Sequence, residues 1–261
     1  MDLAALTTGL AAQGLNAWGV ADPARWDAHV PPEKRADAVL PGARAIVVFG
    51  SGGPALWHAL LADVAATPAH LADEAHPLDA FVRRAVQAAD AHLGATRRRW
   101  VYAAADASPL VDFRTLGWLA GLGGRSRLGL LLHPEYGPWL GLRAACFVDA
   151  ALPSAAPVEA DPCAGCPAPC VSACPGAAFP GGTWAVAPCA AFHAASDVCT
   201  ATCHAREACP AGADHRYPRE ELTYHYDRRA GRAFLQACAG LAEGADGHQG
   251  VGPHWRAWEA R

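Results

Sequence analysis

Eight of the ten cysteines fall between Cys163 and Cys209, at spacings that suit thiolate ligands of a metal centre. The stretch reads C-A-G-C-P-A-P-C-V-S-A-C-P, then Cys189 alone, then C-T-A-T-C-H-A-R-E-A-C-P. Thiolates two or three residues apart can close on one centre about 2.3 Å away without distorting the backbone. Each dense run ends in Cys-Pro, the way a short loop wraps an iron-sulfur cube. The chemistry expected here is one-electron transfer.

Bacterial two-cluster modules use C-x2-C-x2-C-x3-C-P, and the fourth cysteine of each run ligates the other cluster. Here the first run is C-x2-C-x3-C-x3-C-P, one residue longer. By the same crossed logic, Cys163, Cys166 and Cys170 with Cys209 hold one 4Fe-4S cluster, and Cys189, Cys199 and Cys203 with Cys174 hold the other. Structural zinc competes, since two four-cysteine sites fit the same count. Disulfides need an oxidising compartment, and the start M-D-L-A-A-L-T-T lacks the regions of a signal peptide. Cys199-T-A-T-Cys203-His204 has one residue too many between its cysteines for haem attachment.

The remaining elements have to position this module. At 261 residues the chain is long enough for a substantial core. Its apolar half, net charge of −4 and pI near 6.3 speak against disorder and against an electrostatic binder of long polyanions. No run of about 18 uninterrupted apolar residues occurs, so no membrane span is expected and the chain reads as soluble and cytoplasmic.

Residues 3–13 read as a helix, 15–20 as a short strand, and 43–49 as a buried β-branched strand running into Gly50-Ser51-Gly52-Gly53. That loop is not G-x-G-x-x-G and reads as a plain connection before it reads as a phosphate cradle. Residues 54–66 and 77–93 have helical period, the second with Leu78, Phe81, Val82, Val86 and Ala89 on one stripe. Arg97, Arg98 and Arg99 precede a strand and either grip an anionic ligand group or form a solvated strand start. Residues 128–132 and 139–148 read as strands joined by a hairpin-like turn, and 153–162 as a linker. Beyond the cysteines a single helix is expected from Pro218 to about Ala239, with Glu220 and Glu221 in its first turn. Cys146 and Cys238 read as ordinary buried residues.

The segment A-G-L-G-G-R-S-R-L-G-L-L-L-H-P-E-Y-G-P-W resembles epoxyqueuosine reductases, iron-sulfur and cobalamin enzymes with an A-G-L-G…K…P-E-Y-G-S motif. The likeness runs ungapped from Ala120 to Gly137 and extends to residues 14–21, to 40–48 and to cysteines following Leu152-Pro153. His133-Pro134-x-x-Gly137-x-Trp139-x-x-x-Arg143 and Arg216-Tyr217-x-x-Glu220-x-x-x-Tyr224 are also similar to CblC-type cobalamin-processing proteins.

The resemblance implies an α+β fold: a nitroreductase-like core with a mixed sheet and flanking helices, followed by a small ferredoxin-like two-cluster domain. Expected boundaries are 1–153 for the core, 154–215 for the 4Fe-4S domain, and 216–261 for a C-terminal helix and tail packing on the core. It implies a corrinoid held by Gly121, Gly123, Arg127, His133, Tyr136, Gly137, Trp139 and Arg143. The reductases' proton-donating aspartate falls on Asp106 in A-D-A-S-P, and their motif lysine on Arg127.

The function expected is an iron-sulfur oxidoreductase passing electrons to cobalamin, which is either a cofactor for reduction of a small substrate or the cargo being processed. A ferredoxin or flavodoxin is the expected donor. Flavin chemistry with FMN, or a non-catalytic electron-transfer or metal-stabilised module, is the alternative. Epoxyqueuosine reductases continue into a helical region that helps hold tRNA; this chain stops before it and is acidic, so tRNA is not an expected partner.

Overall fold

The run Ala45–Gly52 has no polar face, and such a strand is stable only when both of its faces are covered. All eight of its residues are buried. The computed structural model of the chain describes residues 1–71, 75–104 and 111–241. In chain order these form α1 (Leu3–Ala12), β1 (Ala17–Ala21), α2 (Pro23–Asp27), α3 (Ala36–Val39), β2 (Ala45–Gly52), α4 (Ala55–Ala66), α5 (Pro77–Ala89) and β3 (Arg98–Tyr102). Then come α6 (Phe113–Leu119), β4 (Gly124–Arg125), β5 (Leu131–Leu132), β6 (Leu140–Val148), α7 (Pro169–Ala173), α8 (Val186–Ala195), α9 (His204–Glu207), α10 (Arg219–Tyr226) and α11 (Arg228–Cys238).

The main sheet has the order β1-β2-β6-β3. Every pairing in it is antiparallel, which corrects the expectation of a mixed sheet. The reason is topological: β2 and β3 run the same way, but β6 returns between them in the opposite direction. Alternation along the central strands sends Val47, Phe49, Ala144, Cys146 and Val148 to one layer and Ile46, Val48, Ala145 and Phe147 to the other. The first layer is closed by α1, α4, α5 and α11, the second by Trp26 of α2, Ala36 of α3 and Leu116 of α6. The α5 stripe faces this core as its period requires, with Leu78, Phe81, Val82, Val86 and Ala89 all buried. Cys146 is fully buried, and burial pushes its thiol far above the ordinary range; Cys238, by contrast, is exposed.

Three local expectations change. The hairpin-like return is present, with His133 and Gly137 exchanging both backbone hydrogen bonds at 3.0 and 2.9 Å, but β5 pairs with β4 while β6 joins the main sheet. Gly123 decides this: a Cβ there would sit 2.6 Å from the Leu132 carbonyl, so only glycine lets the two short strands meet. The C-terminal helix is broken in two at Asp227, whose side chain caps α11 by accepting from the Ala230 amide at 3.0 Å. Arg97 and Arg98 are engaged by Asp149 and Asp90, so they brace the strand start instead of waiting for a ligand.

The C-terminal pair docks on the core. Tyr224 accepts from the Leu78 amide at 3.2 Å and lies 5.3 Å from the Trp57 ring. Among the described residues no helix is long and apolar enough to cross a membrane.

Candidate functional site

Four thiols surround one space. Cys163, Cys166, Cys170 and Cys209 line a cavity of about 320 Å³ with Arg127, Leu128, Leu132 and the prolines 162, 169 and 210. Helix α7 carries Cys170, α9 ends just before Cys209, and the two helices pack together. Leu128, Leu132, Phe179 and Ala205 form an apolar wrap around these sulfurs. Cys170 lies in the field of Cys209 and Cys163, and Cys209 in that of Cys163 and Cys166.

The other four thiols also lie near one another, and two of them, Cys174 and Cys203, pack against the same apolar wrap. Cys199 is influenced by Cys203, Cys174 and Cys189, and Cys189 by Cys203 and Cys174. Cys174 thus lies in the neighbourhood of the second run's thiols and Cys209 in that of the first run's. Burial raises the thiols of Cys170, Cys189 and Cys209, and that of Cys199 to about 11, with neighbouring thiolates adding to the effect. Thiols in this state are protonated at neutral pH, so metal loading must release protons. Among the described residues, no three His, Cys, Asp or Glu side chains converge as a site for a single metal ion.

The backbone of this region is strained where the thiols gather. Ala168, just before α7, and Ala177 have φ of 55° and 47°, a conformation that costs a residue with a Cβ roughly 1–2 kcal/mol. They are the only two non-glycine residues at positive φ among those described. Such strain persists where the surroundings over-determine the chain, as at a ligand clamp.

One sulfur also receives a hydrogen bond: the Ala178 amide donates to Cys174 Sγ at 3.4 Å.

A turn of the core meets this module. His133 Nδ1 accepts from the backbone amides of Glu135 and Tyr136 at 3.1 and 3.2 Å, which leaves the ring proton on Nε2. Burial depresses the His133 pKa, with Glu135 opposing and His215 assisting, so the imidazole is neutral with an Nε2–H donor. The ring stacks on Tyr136 at 4.7 Å, and Tyr136 meets His215 edge-on at 4.9 Å. Gly52 lies under Tyr136, where a Cβ would be 2.1 Å from the ring. Gly52, the last residue of β2, therefore accommodates an aromatic side chain. Gly137, at φ +54°, packs on Ala211, where a Cβ would be 2.2 Å from the carbonyl oxygen.

The other expected cofactor contacts are distributed differently. Gly121 faces Ala155 and Gly123 faces Leu132, so the close approaches that need glycine there are to the chain itself. Arg127 is exposed on the rim of the thiol-lined cavity. Trp139 is fully buried, with the Arg206 guanidinium 4.5 Å over its ring and Tyr217 edge-on at 5.3 Å. Arg143, on β6, sits between the carboxylates of Asp79 and Glu221, and its Nε has no partner. Asp106 lies outside the described residues.

Arg206 is the residue that sequence reading misses. It extends from α9, between two cluster-spaced cysteines, donates two bonds to the Pro138 carbonyl at 3.1 and 2.8 Å, and lies 4.7 Å over the Tyr217 ring. Nothing in H-A-R-E-A-C marks it, because its partners are distant in sequence. Glu221 reads as a first-turn helix acid, yet only 3% of its side chain is exposed.

No protein-family model matches the chain, and no curated protein matches it by sequence. Solved structures do match. The C. elegans B12-trafficking protein CblC aligns with a TM-score of 0.60 at 14% identity, over 95% of this chain and 97% of that one. Epoxyqueuosine reductase from Streptococcus thermophilus gives 0.56 at 14%, over 92% and 80%. An epoxyqueuosine reductase solved with a tRNA-Tyr epoxyqueuosine-modified stem loop gives 0.55 at 18%, over 84% and 67%. At these identities the likeness is one of fold.

Proposed function

We propose that this chain, built on the fold shared by epoxyqueuosine reductases and a B12-trafficking protein, is an iron-sulfur oxidoreductase. It passes electrons through two 4Fe-4S clusters to a bound cobalamin, for cobalamin processing or for reduction of a small substrate. One observation carries this reading: four of the eight clustered cysteines, Cys163, Cys166, Cys170 and Cys209, line one cavity of about 320 Å³ beside an apolar cluster. A zinc ion asks for four donors about 2.3 Å from one centre. A space of this size between four thiols suits a cube better than a single ion.

In this reading residues 1–153 are a nitroreductase-like corrinoid-binding core, 154–215 a ferredoxin-like domain and 216–261 a C-terminal part packing on the core. A bound corrinoid supplies a cobalt that accepts electrons and makes or breaks a bond to its upper ligand or a substrate. The chain's own residues bind and orient. His133 offers its Nε2–H and Arg143 a buried Nε donor without an acceptor, a fit for the amide side chains of a corrin. Arg127, on the cavity rim, is a further cofactor contact. Gly121, Gly123, Gly137, Tyr136 and Trp139 shape the frame behind these groups. Asp106 is assigned the proton donor, and a ferredoxin or flavodoxin in the cytoplasm the electron source.

The acidic net charge argued against tRNA, but the neighbour solved with a tRNA stem loop supports an RNA substrate beside a small molecule. Anaerobically purified protein is expected to carry about eight irons per chain with matching acid-labile sulfide, and broad visible absorbance bleached by dithionite. Incubation with cobalamin is expected to add corrin bands; flavin bands in their place support the FMN alternative. A colourless protein with neither iron nor sulfide refutes the proposal. Asp106→Asn should keep iron content and corrinoid binding but slow turnover at least tenfold, within the range of general acid catalysis. Unchanged turnover makes Asp106 a turn residue.

A further inference from the structure

A second cavity, of about 270 Å³, adjoins the thiol-lined one, and Ser126 lines both. Its other walls come from Asp112, Arg114 and Thr115 at the start of α6, from Arg125 of β4 and from the turn leading into β5. Leu128 and Leu132 line the thiol cavity, whereas Leu130 and Leu131 line this one.

Two arginines without matching acids mark the cavity. In a chain of net charge −4, Arg84, Arg97 and Arg98 each meet a carboxylate, at 2.6, 2.8 and 2.7 Å. Arg125 has none within 4.0 Å among the described residues, and Arg114 reaches only Asp112, at 4.0 Å. Asp112 is already occupied as the cap of α6. Its Oδ1 accepts from the Arg114 and Thr115 amides at 3.1 and 3.2 Å, and its Oδ2 from the Thr115 hydroxyl at 2.8 Å. The Ser126 hydroxyl donates to the Leu130 carbonyl at 2.8 Å, so the guanidinium groups are the donors left for a ligand.

Both guanidinium groups are also held in place. Arg125 lies 4.1 Å over the Trp118 ring, and Arg114 Nη1 donates to the Gly129 carbonyl at 3.1 Å. Arg125 Nη2 stands 3.5 Å from Thr115 Oγ1, while its Nε and Nη1 and the Arg114 Nη2 have no acceptor among the described residues. A guanidinium fork matches two oxygens of a carboxylate or a phosphate, and one that is already ordered loses little entropy on binding.

We propose that this cavity binds a small organic oxyanion, a carboxylate or a phosphate ester, gripped by Arg125 and Arg114. Leu130 and Leu131 suit an apolar body behind the charged group. On the function proposed above, the site anchors the anionic end of the small substrate one short loop away from the thiol cavity. That link rests on the reading above, whereas the binding does not.

The test titrates phenyl phosphate, benzoate and the uncharged benzamide into the anaerobically purified full chain at low ionic strength, with ligand-observed NMR giving each Kd. At least one anion should bind about tenfold more tightly than benzamide or better, and the stronger of the two tells phosphate from carboxylate. Arg125→Gln should weaken that binding about tenfold and Arg114→Gln about threefold. Arg125→Lys, which keeps the charge and loses the fork, should fall between Arg125→Gln and the unaltered protein and covers a folding defect in the glutamine variant. Arg99→Gln, at an exposed arginine outside the cavity, should change nothing. Benzamide binding as tightly as the anions, or an unchanged Kd in folded Arg125→Gln and Arg125→Lys, overturns the inference. So does an RNA stem loop that binds more tightly than either anion and loses its affinity in Arg125→Gln, since that result assigns the site to backbone phosphates. Absence of iron overturns the cluster reading and leaves this inference in place.

Discussion

Cys174→Ser is expected to halve the iron of the anaerobically purified protein and to leave the cluster in the thiol-lined cavity intact. Cys174 stands only four residues after Cys170, so ligation in simple chain order would put it with Cys163, Cys166 and Cys170. Cys174 instead lies within electrostatic reach of Cys189 and Cys199, and Cys209 lines the cavity with the other three. Serine is a poor ligand for a soft iron-sulfur centre, and three thiolates no longer complete the cube. About four irons should remain, with the EPR signal of the set containing Cys163 undisturbed. Cys209→Ser should give the converse pattern. Loss of the cavity cluster in Cys174→Ser would mean that ligation follows chain order and that the crossed arrangement is wrong.

Glu221→Gln should stabilise the protein at pH 8 and leave its stability near pH 4 unchanged. Burial raises the Glu221 pKa to about 8, against the pull of Arg143 from β6 and Arg206 from α9; His225 on its own helix lies 3.7 Å away. Its Oε2 has no partner. The unfolded chain releases this proton near pH 4.5, so between there and about 8 the folded state holds more protons than the unfolded. Stability therefore falls as pH rises through that window, by as much as about 4 kcal/mol at pH 8. Glutamine keeps the shape and removes the titration. The expected gain in melting temperature is on the order of 10 °C at pH 8, shrinking toward zero at pH 4. A gain of the same size at both ends would show that packing, not the proton, is responsible.

Much of the frame was legible because it depends on local patterns. The apolar run that became β2 and the stripe of α5 carry their burial in their spacing. The sheet's uniform antiparallel pairing did not follow from strand propensity, because it depends on where β6 returns. The split of the last helix turned on a single cap at Asp227 and on Gly231, where a Cβ would lie 2.3 Å from the Tyr224 backbone. For the site, the doubled Cys-Pro endings pointed to the thiols, while their outer contacts left no trace. Arg206 is an isolated residue in unremarkable text and gains its meaning from a partner on another element. Glu221 looked like an acid placed for the helix dipole until two arginines from elsewhere in the chain surrounded it.

Arg206 joins the cysteine-bearing α9 to the start of β6, with the rings of Trp139 and Tyr217 against it and the Pro138 carbonyl at its tip. A guanidinium held in this way resists both sliding and hinging of the two parts. On the proposed function, the gap an electron would tunnel across is then set at folding.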